Sequence, residues 1–171
     1  QLEYVMWMAQ CHVRNQPLEQ DVSDFWTLHK RSYKVHAPTR LGKASIGSMY
    51  IRAITASEAK TVLLVTGTAD VTPWINTLLL CGMQDIYCVK SRNDKPPMDK
   101  GLKIVIVTPQ MVNVDSHDHM VYDAMVIDEA HKLYTDSCNA ESVSDRMGLT
   151  TQYRANTIGI AARVPFVVMM T

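Results

Sequence analysis

Residues 124–131 read AMVIDEAH. Four apolar residues run without a polar break into Asp128 and Glu129, and His131 follows after Ala130. Such a continuous run is the pattern of a strand buried on both faces of a parallel sheet, whereas a strand with one wet face alternates. The two carboxylates then stand at the carboxyl end of the strand, on the sheet edge where ligands collect in open α/β folds. A carboxylate pair alone is equally well explained as a solvated strand end. What decides between the two readings is whether a phosphate-binding segment stands upstream.

Outward from this stretch, the same kind of run recurs at YKVHA (33–37), TVLLV (61–65), IYCV (86–89), KIVIV (103–107) and PFVVMM (165–170). Between the runs, KASIGSMYIRAITASE (43–58) places Ile46, Met49, Tyr50, Ala53 and Ile54 on one helical face. VTPWINTLLLC (71–81) reads as a shorter helix, with Pro73 tolerated in its first turn. A third helix is expected over much of 139–154. Strands alternating with helices predict an α/β fold, a parallel sheet flanked by helices. SRNDKPPMDKG (91–101), with its Pro-Pro pair and charges of both signs, is a loop by composition. Residues 1–31 read as a helical, aromatic segment packing on a lobe formed by 32–171.

The phosphate-binding segment is present. VHAPTRLGKAS (35–45) runs from a strand into Gly42-Lys43 at a helix start. There the free backbone amides point at an anion and the lysine ammonium reaches the outer phosphates. Against the usual pattern G-x-x-x-x-G-K-[ST], Ala37 stands at the first glycine position, and Ala44 replaces the hydroxyl residue that holds magnesium. Paired with the downstream carboxylates, the loop defines a nucleotide site. Thr39, Arg40, Leu41, Gly42, Lys43, Ala44 and Ser45 surround the phosphates. In such a site Asp128 is expected to hold Mg2+ through water, Glu129 to orient and deprotonate the attacking water, and His131 to sit on the turn leading away from it. Ser45 is the candidate to supply the missing hydroxyl to the metal, although it points about 100° away from position 44 on a helix.

These motifs carry a resemblance. Asp128-Glu129-Ala130-His131, preceded by YDAMVI, resembles the DEAH box of superfamily 2 helicases and translocases, and PTRLGKAS (38–45) resembles their P-T-G-x-G-K-T loop, with Arg40 in place of a glycine. TVLLVTGTADV (61–71) and IVIVTPQMV (104–112) occupy the places of the motifs that touch the nucleic-acid backbone. The resemblance thus implies strand contacts at Thr66, Gly67, Thr68, Thr108 and Pro109. FVVMMT (166–171) looks like the strand leading into the S/T-A-T motif. The resemblance covers most of the chain and implies a RecA-like P-loop NTPase lobe that uses ATP and Mg2+, with Lys43 and Glu129 as the catalytic pair. It also implies a second RecA-like lobe in the parent chain, which supplies the arginine that completes the transition state.

Two branches share these features. KRSYKVHAPTRLGKAS, KTVLLVTGTADV, YDAMVIDEAH and ARVPFVVMMT look like the first lobe of the RNA helicases of flavivirus-like and potyvirus-like polyproteins, which favours RNA over DNA as the strand. QLEYVMWM (1–8) instead looks like the Q-L-E-x-x-x-W segment of chromatin-remodelling ATPases, although Tyr134 and Thr135 stand where those proteins have Lys-Asn. The first branch implies a cytoplasmic replication complex, the second the nucleus. Ala44 and Arg40 also support a reading of another class, a degenerate helicase lobe that binds nucleic acid or protein without hydrolysing ATP.

Composition restricts the partners. Seventeen basic and seventeen acidic residues leave no net charge, so strand binding cannot rest on bulk positive potential and falls to amides and hydroxyls. No apolar run is long enough to span a membrane, and the N-terminus lacks a signal-peptide pattern. Cys11, Cys81, Cys88 and Cys138 form no CxxC pair and are expected to be the reduced thiols of an intracellular protein. Gln1 at the start and Thr171 directly after an apolar run suggest a piece of a longer chain. DSHDH (115–119) has metal-ligand residue types but no second ligand cluster, and Trp7, Trp26 and Trp74 are expected in the core.

Overall fold

The computed structural model describes residues 5–6, 32–35, 42–56, 60–99, 101–133 and 143–171. Among the described residues, six strands form one sheet: β1 Ser32–Val35, β2 Val62–Val65, β3 Ile86–Cys88, β4 Ile104–Val107, β5 Ala124–Ile127 and β6 Val167–Met170. Among the described residues, helices α1 Lys43–Thr55, α2 Val71–Leu80 and α3 Val143–Ala161 interleave with them. The strand order is β1-β6-β5-β2-β4-β3, and every pairing is parallel. This is the expected α/β, RecA-like arrangement. The strand that precedes Gly42-Lys43 in the chain and the strand ending in the carboxylates lie one strand apart, with β6 between them.

The apolar runs are continuous because both faces of the sheet are covered. Val62, Leu64, Ile104, Ile106, Val126 and Val168 face a core shared with Ile46, Tyr50 and Ile51 of α1 and Trp74 and Leu78 of α2. Their chain neighbours Leu63, Val65, Val105, Val107, Met125 and Val167 face a second core with Ile160 and Ala161 of α3 and Val112 and Tyr122. The strands have a period of two, so an uninterrupted apolar run serves two cores at once. Each fully buried Leu, Ile or Val contributes about 1.5–3 kcal/mol.

All six expected strands form, each within a few residues of its expected bounds. The third helix differs: it continues to Ala161, well past 154. Its final turns bury Thr157, Ile160 and Ala161, and the Asn156 side-chain amide donates to the Val112 carbonyl at 2.9 Å. Tertiary burial, which local pattern does not report, prolongs the helix. Of the N-terminal segment 1–31, only Val5 and Met6 are described. Val5 is buried in the core shared with α1 and α2, and the rest of the segment lies outside the described residues.

Candidate functional site

The site is assembled at the carboxyl ends of the strands. Gly42 caps α1 with φ 80° and ψ 47°, a left-handed conformation that a residue with a Cβ adopts only at a cost of roughly 1 kcal/mol. Among the described residues no side chain caps this end, and no acidic residue occupies the first turn. The first amides of a helix have no intrahelical acceptor, so they and the helix dipole favour an anion. Lys43 opens the helix, Ala44 packs against the core and Ser45 is half-buried. Thr39, Arg40 and Leu41 lie outside the described residues.

At the end of β5, the chain stays tied to the sheet through one further residue. Thr66 N–H donates to the Val107 carbonyl at 3.1 Å and Asp128 N–H to the Val65 carbonyl at 2.9 Å. Asp128 emerges on this ladder and is held by three donors. Its Oδ2 accepts from the Thr66 hydroxyl at 3.2 Å and the Trp74 indole N–H at 2.8 Å. Its Oδ1 accepts from the Glu129 amide at 2.9 Å. A carboxylate offers about four acceptor sites; among the described residues these donors leave one, on Oδ1.

Glu129 has φ 51° and is, among the described residues, the one non-glycine with positive φ. That conformation costs roughly 1–2 kcal/mol and is characteristic of sites where geometry is imposed by the surroundings. Two basic groups of the described residues meet its side chain. Glu129 Oε1 forms an ion pair with Lys43 Nζ, closing a contact between residues 86 apart in the chain. Its Oε2 lies 3.3 Å from Nε2 of the half-exposed His131. The lysine and both carboxylates singled out in the sequence therefore meet at one place.

The residues expected to line a nucleic-acid path divide. Thr68 is exposed and Gly67 and Pro109 are half-exposed, so all three can be reached from outside. Thr66 is fully buried and spends its hydroxyl on Asp128, so its side chain faces the carboxylate instead of a strand. Thr108 is buried, with a hydroxyl that has no hydrogen-bond partner among the described residues.

Trp74 joins the site without having been singled out for it. The expectation of a core position holds, since the residue is 1% exposed. A buried indole N–H still requires an acceptor, and that requirement was the one sequence-level signal; the acceptor itself, Asp128, lies 54 residues away. The DSHDH residues do not cluster. His117 is buried and shares a 2.6 Å hydrogen bond through Nδ1 with the Tyr122 hydroxyl, while His119 Nε2 bonds the Pro96 carbonyl at 2.7 Å. No group of three or more metal-ligand side chains exists among the described residues. Burial holds the His117 imidazole down to about 4, helped by the nearby charges of His119 and Arg163, and burial pushes the Tyr122 phenol well above its ordinary value.

The donor set suits a magnesium nucleotide on one side and less fully on the other. Hard carboxylate oxygens and a lysine at a helix N-terminus match a divalent cation and a polyphosphate. On the helix side, Ala44 offers no oxygen, which leaves Ser45 as the hydroxyl of the first turn.

Residues 11–161 match the profile of a family described as ResIII, type III restriction enzyme, res subunit. A comparison with curated proteins found no match. Among solved structures, the chain is similar to the C-terminal domain of a possible DNA helicase from Lactobacillus plantarum WCFS1, at 12% identity and a TM-score of 0.47, over 98% of this chain and 82% of that one.

Proposed function

The chain belongs to the ResIII family, and from that membership we propose that this helicase-family domain is the ATP-binding lobe of a nucleic-acid helicase or translocase. One observation carries the reading: Lys43 at the head of α1 pairs with Glu129, beside Asp128, at the carboxyl edge of a parallel sheet. A phosphate-binding lysine and two strand-end carboxylates in contact are the minimum for holding a nucleotide with its metal.

In this reading the ATP phosphates draw Lys43 away from Glu129, and the α1 amides bind them beside it. Asp128, with Ser45 or a water in place of the missing hydroxyl, would hold Mg2+, which would supply charge neutralisation on the phosphates. Glu129, freed from Lys43, accepts the proton of the attacking water. Gly67, Thr68 and Pro109 contact the sugar-phosphate backbone, a mode suited to a chain without net charge. Segment likeness to the viral-type branch favours RNA as the strand, while the restriction-enzyme description of the family favours DNA. Competition between RNA and DNA of one sequence for the same protein distinguishes them. The second lobe of the parent chain completes hydrolysis, and the viral-type branch would place the protein in a cytoplasmic replication complex.

A second reading, a helicase lobe that has lost hydrolysis, is favoured by Ala44, which is packed against the core where a metal-binding hydroxyl is expected. Calorimetric titration with Mg2+ and a non-hydrolysable ATP analogue separates the two. Saturable, magnesium-dependent binding that falls at least about tenfold in Lys43→Ala is expected for a working site. Binding that is absent in the native chain and restored by Ala44→Thr would support the second reading and sink the first.

A further inference from the structure

Trp74 is the least explained contact around the carboxylates. Its ring is buried between α1 and the sheet, where Gly47 makes room for it: a Cβ at position 47 would overlap the indole. α1 is also the helix that carries Lys43 at its head. From this wedge the indole N–H reaches Asp128 Oδ2 at 2.8 Å, the oxygen that also accepts from Thr66. A tryptophan filling core volume could satisfy its N–H on any backbone carbonyl. This one donates to an ionisable carboxylate at the exit of β5, and a hydrogen bond to such a charge is about twice as strong as a neutral one.

We propose that Trp74 is a positioning residue for metal binding. With Thr66 it saturates Oδ2, so the carboxylate cannot rotate and the open acceptor site on Oδ1 is the one that receives the metal or its water. Because the same ring packs on α1 at Gly47, it also sets the spacing between the phosphate-binding helix and the metal-binding carboxylate. This rests on the nucleotide reading above.

The test replaces Trp74 by 3-benzothienylalanine, which keeps the ring shape and lacks the N–H, with Trp74→Phe beside it. The full chain is titrated with Mg2+ at a fixed concentration of non-hydrolysable ATP analogue, then with the analogue alone in EDTA, and its melting temperature is recorded. Losing one donor to a carboxylate is worth about tenfold. The Mg2+ concentration at half-saturation should therefore rise about tenfold in the isostere, with the metal-free nucleotide affinity unchanged and the melting temperature lowered by no more than the few degrees that one lost hydrogen bond explains. An unchanged Mg2+ requirement, with the native chain binding normally, overturns the positioning role and leaves the nucleotide reading standing. Metal-bound and metal-free affinities falling together with the melting temperature would mean Trp74 serves only the core, and would also overturn it. No binding by the native chain at any Mg2+ concentration removes the nucleotide reading and this inference with it.

Discussion

Acidification should weaken this fold through one buried imidazole. His117 is buried with its Nδ1 on the Tyr122 hydroxyl, and its Nε2 has no partner among the described residues. Burial, with the charges of His119 and Arg163 nearby, holds it at about 4 against an ordinary 6.5. As the pH falls through 6.5, the unfolded chain takes up a proton that the folded chain refuses until about 4, so stability is complete above the upper value and lost between the two. The gap corresponds to about 3 kcal/mol in all, of which about 2 kcal/mol is gone by pH 5. For a chain of this length that is a fall in melting temperature of about 4–8 °C between pH 7 and pH 5. The exposed Asp94 carboxyl is held below its ordinary value by the Lys90 amide and the Tyr87 hydroxyl; its contribution is lost only below 3.8, outside this window. The assay is thermal unfolding of the native chain and His117→Gln at both pH values. The native chain should show the fall and the variant most of its removal. Parallel curves for the two proteins would refute the assignment of the pH dependence to this imidazole.

Two further expectations follow from packing and charge. Gly47→Ala forces a methyl into the Trp74 ring and should cost about 1–3 kcal/mol in urea unfolding; a midpoint within error of the native one would show that the indole has room to shift. Arg163→Ala removes the ion pair with Asp118, whose side chains are 43% and 74% exposed. It should change stability by less than about 1 kcal/mol, and a larger loss at pH 7 would show that this contact pins the end of α3.

The parallel α/β sheet was legible because its strands carry apolar runs that only burial on both faces explains, and such runs need no knowledge of their neighbours. The start of α1 was legible for a local reason too: Gly42 supplies a left-handed cap and Lys43 opens the helix. Asp128 and Glu129 could be placed at a strand end by pattern alone, and their approach to Lys43 followed from the rule that parallel strands present their carboxyl ends on one edge.

Tertiary structure decided the rest, wherever the relevant partner lies far away in the chain. Strand order is such a case, since β6, last in the chain, inserts between β1 and β5. Thr66 is another. Its neighbours in sequence suggest a surface motif, but the parallel pairing of β2 with β5 aligns Val65 with Ile127 and delivers the threonine hydroxyl to Asp128. His117 and His119 have the same residue type two positions apart, yet one is buried on Tyr122 and the other bonds Pro96, because the short turn at Asp115–His117 sends them to different surroundings. Trp74 makes the distinction sharpest. Its sequence determines that a large ring will be buried and that its N–H will need an acceptor; only the packing of α2 against α1 and β5 makes that acceptor a carboxylate of the candidate site.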